Sequence, residues 1–225
     1  IVLLVAIICG LAFVSHHFLS MFLRGDGLYS PLVVKGVNGV TLDEVMYASN
    51  IRDVYDGHFV VKDSQLFEHK YDSTVVTGWF PYLLLGLMTK ITGSVANTFI
   101  ISDFIFPALT FLMVYLFLIR TTRNFLPSLL GAVGVLFASH LFMLSSIGPY
   151  LESIVPLNVV KLPYYIARLP FTELTFLSLI IGIYFTYLAI ETGKKRYALL
   201  AGLFGGLQFY SYIYNMVGFA VGIGI

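Results

Sequence analysis

Charge is what this sequence has least of. Only 11% of its 225 residues are Asp, Glu, Lys or Arg, and 58% are hydrophobic; soluble domains carry about 25% charged residues. The deficit excludes an ordinary water-facing surface and points to an integral membrane protein. A net charge of +1 leaves no electrostatic footprint for nucleic acid. The one cysteine, Cys9, lies in an apolar run, so no disulfide can form within the chain. Tryptophan occurs once, at Trp79. There is no internal repeat, no low-complexity tract and no Ser-His-Asp arrangement. The glycine-rich run G-L-F-G-G at 202–206 lies in an apolar stretch and lacks the Lys-Ser/Thr ending of a phosphate loop.

What is abundant is long apolar sequence. A helix crosses a bilayer core with about 20 mostly apolar residues. By that criterion residues 1–23, 97–119, 125–147, 172–190 and 197–214 are expected spans, and 215–225 starts a sixth. Residues 197–225 could also form one long tilted helix, but a break near Asn215 is preferred, because Asn215 and Gly218 interrupt the run. The first run is too long for a signal peptide and no small-residue cleavage site follows it, so it is expected to be an anchor. The chain opens at Ile1 in one apolar run and stops at Ile225 in another, as expected of a fragment of a longer polytopic protein. Gly202 and Gly206 form a small-xxx-small pair and predict close helix packing. The fold class expected is therefore all-α, a polytopic membrane helical bundle.

Short loops orient this bundle. Arg120 and Arg123 lie between the second and third spans, and Lys194, Lys195 and Arg196 between the fourth and fifth. Basic residues of short loops concentrate on the cytoplasmic side. Alternation puts both loops on that side and the N-terminus with them. Residues 24–96 and 148–171 then face out. The first of these segments holds eight of the twelve acids and six of the thirteen bases. After a Gly-rich stretch, a helix is expected over 41–56. Thr41 supplies an N-cap, Glu44 completes a capping box, and Gly57 terminates the helix. A second helix is expected over 80–92, with Pro81 in its first turn and Gly93 at its end. It is too short to span. Beside Trp79, it is expected to lie flat at the outer interface.

Asp43 and Glu44 are the first candidates for chemistry. Acids in a first helical turn are favoured by the helix dipole, which is a structural reason for both. The functional reading makes one of them a general base for a hydroxyl nucleophile. Asp43 is then the better candidate, because Glu44 has the capping role. Lys161 and Arg168 in the second outer segment suit a phosphate, with Tyr164 and Tyr165 as hydrogen-bond donors; snorkelling from the interface explains the two cations equally well. Asp103 in the second span requires a basic partner or a polar cavity. His16, His17 and His140 have no ligand at metal-binding spacing and are assigned to packing or the interface; His58 and His69 lie in the outer loop at no ligand spacing either.

The arrangement of these segments resembles a known family. An anchor is followed by L-D-E-V-M-Y at 42–47, I-R-D-V-Y-D-G at 51–57, and a Pro-led apolar helix ending K-I-T-G at 90–93. This resembles the GT-C glycosyltransferases, and within them the bacterial and archaeal relatives of protein mannosyltransferases and aminoarabinose transferase. R-L-P-F-T-E-L-T-F at 168–176 and the stretch 193–215 are similar to large membrane proteins of that type. The resemblance implies a helical bundle with interfacial helices in the first outer loop. It implies a polyprenyl-phosphate-linked sugar as donor and a protein, lipid or glycan as acceptor. The active face would be the outer face of a prokaryotic cell membrane. Asp43 matches the family's catalytic acid and Glu44 stands beside it, with Tyr47, Lys161, Tyr164, Tyr165 and Arg168 as substrate-binding candidates. The resemblance assigns no definite cofactor, and a divalent metal stays open. Some members gather outer-loop acids around a divalent metal, and Asp43 with Glu152 would suit Mg or Mn; Glu173 either adds to them or caps the fourth span.

Two other classes fit the same composition. A transporter or flippase for a lipid-linked or small solute would carry its ionisable groups near the midplane between repeats. A scaffold would use the outer loop to hold a partner.

Overall fold

The computed structural model describes residues 1–24, 43–62, 78–141 and 170–222. Among these residues the secondary structure is helical, with no strand ladder. The helices are α1 (Val2–Arg24), α2 (Asp43–Tyr55), α3 (Trp79–Thr92), α4 (Val95–Thr122), α5 (Phe125–Leu141), α6 (Pro170–Thr192), α7 (Lys195–Phe209) and α8 (Ile213–Gly222). Two stretches, Val95–Thr122 and Glu173–Thr192, are long and apolar enough to cross a membrane. The chain divides into two compact units, residues 1–40 with 100–169 and residues 41–99 with 170–225.

In the first unit α1 meets α4 at a glycine. A Cβ on Gly10 would lie 2.6 Å from the Phe104 carbonyl oxygen, so the two backbones approach as closely as a missing side chain allows. Phe13 packs its ring 5.4 Å from that of Phe137 on α5. Ala6, Cys9, Val14, Phe106, Phe111, Val114 and Ala132 are buried apolar residues of this unit. The α4–α5 turn is held by polar contacts. Thr122 Oγ1 and Ser128 Oγ are 2.9 Å apart, and Ser128 Oγ donates to the Asn124 carbonyl at 2.6 Å. Arg123 takes up the left-handed turn conformation between them, at φ 54°.

In the second unit, α2 ends as Gly57 predicts. Gly57 has φ 105°. Its N–H donates to the Val54 carbonyl at 3.0 Å, and the His58 N–H donates to that of Asp53 at 2.9 Å. This pair of bonds is the Schellman closure, which needs a left-handed residue between them. Thr41, the expected cap at the other end, lies outside the described residues. α3 begins at Trp79 after Gly78 (φ 87°) and ends at Gly93 (φ 82°), whose N–H donates to Thr89. Ser94 then caps α4 by accepting the Asn97 N–H at 3.1 Å. Between α3 and α4 the Thr98 hydroxyl sits 2.8 Å from that of Thr89 and 2.7 Å from that of Thr92, so these buried polar groups satisfy one another.

α6, α7 and α8 pack around two glycines. A Cβ on Gly205 would lie 2.6 Å from Phe219, and one on Gly182 would lie 3.2 Å from the same ring. This corrects the expectation for Gly202 and Gly206, where an added Cβ meets nothing within 4 Å among the described residues. The small residues that admit a neighbour are one register step away, on the face turned to α8. The helix break is also displaced. α7 ends at Phe209 and α8 starts at Ile213, and Asn215 lies within α8, its N–H bonded to the Tyr212 carbonyl at 2.9 Å. Asn215 marks the first turn of a helix where a break was expected.

Candidate functional site

Asp43 and Glu44 are the first two residues of α2. Their backbone thus occupies the turn where helix N–H groups are unsatisfied and negative charge is favoured. Three later residues of α2 fix where this turn stands. Ile51 and Val54 are fully buried, and a Cβ on Gly86 of α3 would lie 2.4 Å from Val54 Cβ and 3.1 Å from the Ile51 carbonyl. Tyr47, half-buried, puts its ring 6.0 Å from that of Tyr82 on α3. The opposite face of α2 is exposed. There Arg52 Nε donates to Asp56 Oδ2 at 2.9 Å, and the guanidinium stacks over Tyr55. The Asp56 hydrogen bond, with its charge, raises the pKa of that guanidinium.

α3 passes this anchoring on. The Phe80 N–H donates to the Tyr210 carbonyl at 3.1 Å, and the Trp79 and Tyr210 rings are 6.1 Å apart. Tyr210 belongs to the turn between α7 and α8. That turn is polar inside. Gln208 is fully buried and donates from Nε2 to Ser178 Oγ on α6 at 3.0 Å and to the Phe204 carbonyl at 3.1 Å. Ser178 in turn donates to the Thr175 carbonyl at 2.8 Å. Glu173, in the first turn of α6, is buried as well.

The other substrate-binding candidates, Lys161, Tyr164, Tyr165 and Arg168, lie outside the described residues, as do Glu152 and His69. The structure thus packs Tyr47 against α3, one helical turn after Asp43. Among the described residues no group of three or more His, Cys, Asp or Glu side chains is arranged to hold a metal ion. His58 is exposed just past the α2 terminus.

One polar pair went unrecognised in the sequence. His17 Nε2 and Asp103 Oδ2 are 3.0 Å apart, joining α1 to α4 with both side chains buried. Pro107, four residues on, has no N–H to donate to the Asp103 carbonyl, which locally loosens the helix beside the pair. The signal was available: two ionisable groups in separate apolar runs each need a partner when buried. No family model, curated protein or solved structure matches this chain.

Proposed function

We propose that this chain acts as a multi-pass membrane glycosyltransferase, moving a sugar from a polyprenyl-phosphate donor to an acceptor hydroxyl on the outer face, with inversion. The observation that carries the reading is an acid pair, Asp43–Glu44, at the head of a short helix clamped onto α3 through Gly86. A general base must be held within hydrogen-bond reach of the proton it takes. A helix locked at its far end by Val54 and Ile51 offers such a fixed mount. In this mechanism Asp43 accepts the acceptor's hydroxyl proton as that oxygen forms the new glycosidic bond. The bond from the anomeric carbon to the lipid phosphate breaks, and the phosphate leaves with the electron pair. One displacement inverts the anomeric centre. Cations stabilise the leaving phosphate, the role assigned to Lys161 and Arg168. Two helices long and apolar enough to cross a membrane, Val95–Thr122 and Glu173–Thr192, support a membrane setting; the topology this reading requires takes α1 and α5 as further spans, with Arg120, Arg123 and Lys194–Arg196 inside.

Transfer from a panel of radiolabelled polyprenyl-phosphate sugars, in membranes carrying the protein, tests the reading. Wild type transfers from one donor, and Asp43→Asn at equal expression does not. Undiminished transfer in Asp43→Asn removes the role from that residue.

A transporter is the second reading, favoured by the His17–Asp103 pair. Buried ionisable pairs in membrane helices mark ion or substrate paths. It requires Asp103→Asn, and not Asp43→Asn, to abolish function.

A further inference from the structure

α2 and α3 turn opposite kinds of surface away from each other. They meet through Tyr47, Ile51 and Val54 on one side and Tyr82 and Gly86 on the other. The far side of α2 is polar, and Arg52 and Asp56 pair there in the open. The far side of α3 is apolar. At about 100° per residue, Leu84, Leu87 and Ile91 stand opposite the buried stripe of Tyr82, Leu85, Gly86 and Thr89. Ile91 keeps 88% of its surface exposed, and Leu87 is exposed as well. Lys90, also exposed, borders them. Its Nζ lies 5.0 Å from the centroid of the Phe59 ring. That contact brings the exposed pair Phe59 and Val60, just past the end of α2, to the last turn of α3.

Length and charge say what covers this face. α3 has 14 residues and rises about 21 Å, whereas a bilayer core is about 30 Å thick, so α3 does not cross one. Its outward leucines and isoleucine are disfavoured in water. The same compact unit holds Glu173–Thr192, long and apolar enough to span a membrane. A helix too short to cross, apolar on its outer face and cationic at the margin, fits the plane of a bilayer interface. Trp79 packs toward Tyr210, so the anchoring falls to other residues. We propose that the outward face of α3, with Phe59 and Val60, is a lipid-binding surface. Its apolar side chains enter the acyl layer, and Lys90 lays its stem along them and its ammonium on lipid phosphate groups. Anionic phospholipids complement this charge best. α2 then lies on the water side of α3, about 8–10 Å further out, with its polar face toward solvent. The surface meets lipid whether or not the chain transfers sugar.

Nitroxide labels read the depth directly. Cys9→Ala removes the chain's one cysteine. Val60→Cys, Leu87→Cys and, as the polar reference, Arg52→Cys are then made one at a time in the full chain and checked for unchanged helix content. The labelled proteins, in nanodiscs of phosphatidylcholine with phosphatidylglycerol, are measured for access to oxygen and to a water-soluble nickel chelate. Expected at Val60 and Leu87 is greater access to oxygen and a depth of about 5–10 Å below the phosphates. Expected at Arg52 is greater access to nickel. Lys90→Glu should draw the Val60 label toward water. Nickel reaching Val60 and Leu87 as readily as Arg52 overturns the proposal. So does a label shielded from both reagents, which would put protein on this face, with spin–spin broadening marking a second copy. A Val60 depth unmoved by Lys90→Glu overturns the phosphate contact and the anionic partner with it. Sugar transfer on the same samples keeps the two readings apart. Labels in lipid without any transfer by wild type keep this surface and remove the glycosyltransfer reading. Transfer that depends on Asp43, with the labels in water, does the reverse.

Discussion

Gly86→Ala is the substitution in which the reasoning about α2 is most exposed. The new Cβ would lie 2.4 Å from both Cβ and Cγ1 of Val54 and 3.1 Å from the Ile51 carbonyl. Carbon atoms in ordinary contact stand about 3.5–4.0 Å apart, so the helices must separate by about 1 Å. Rotating Val54 does not relieve the contact, because its Cβ is fixed to the backbone. Two effects then compete. Alanine improves helix propensity over glycine by about 0.8–1.0 kcal/mol, whereas overpacking a well-filled contact costs about 1–3 kcal/mol. With a backbone-fixed atom involved, the second wins, for a net loss of up to about 2 kcal/mol. Function should suffer more than stability. Displacing a catalytic group by about 1 Å costs up to about 10²-fold in rate. The assay pairs denaturant unfolding, followed by Trp79 fluorescence, with sugar transfer. The compensating change is Gly86→Ala with Val54→Gly, which exchanges the side chain across the contact and should recover most of the lost transfer. A single Gly86→Ala variant with wild-type stability and wild-type transfer would refute the claim that this contact sets the position of α2.

Other predictions follow from contacts elsewhere. Gly205→Ala, facing Phe219, should destabilise the packing of α7 on α8, while Gly202→Ala, whose added Cβ meets none of the described residues, should be neutral or gain up to about 1 kcal/mol of helix propensity; thermal melts of the pair decide it. Gly10→Ala should loosen α1 from α4, seen as faster proteolysis between them, because its Cβ would meet the Phe104 backbone. His17→Leu alone should destabilise more than His17→Leu combined with Asp103→Leu, since the single change takes a hydrogen-bond partner from a buried carboxyl and the double change removes both members of the pair. A double-mutant cycle showing simple additivity would contradict the pairing. Arg52→Gln should leave the unfolding midpoint unmoved, as its partner Asp56 lies on an exposed helix face.

How much of this was readable beforehand depends on the range of the force involved. Local signals were legible. Gly57 and Gly93 stop their helices where a left-handed residue is needed, and Pro81 sits in the first turn of α3. The long apolar runs at 97–119 and 172–190 became α4 and α6 with two to three extra residues at most of their ends. Packing register was not legible. Gly202, Gly205 and Gly206 share one short stretch, and only the position of Phe219 on α8 decides which of them matters. The helix break at Tyr210–Tyr212 contains neither glycine nor proline, so no local breaker announced it. It is held by contacts from afar, the Phe80 N–H on the Tyr210 carbonyl and Gln208 on Ser178. The His17–Asp103 pair joins residues far apart in sequence, beyond any spacing rule. At the candidate site, the acid pair and its helix were legible, but the polar turn was not, because a lone Gln or Ser carries no motif.

The central claim is that Asp43 is a base and not merely a helix-dipole acid. The most direct measurement is the single-turnover transfer rate of Asp43→Asn against wild type, with donor binding followed in parallel through Trp79. General-base catalysis contributes about 10²–10⁴-fold. The account predicts a rate loss in that range with donor affinity unchanged, because the amide keeps the shape but cannot take the proton. A variant that transfers at the wild-type rate, or one that loses rate only in proportion to lost donor binding, would contradict it.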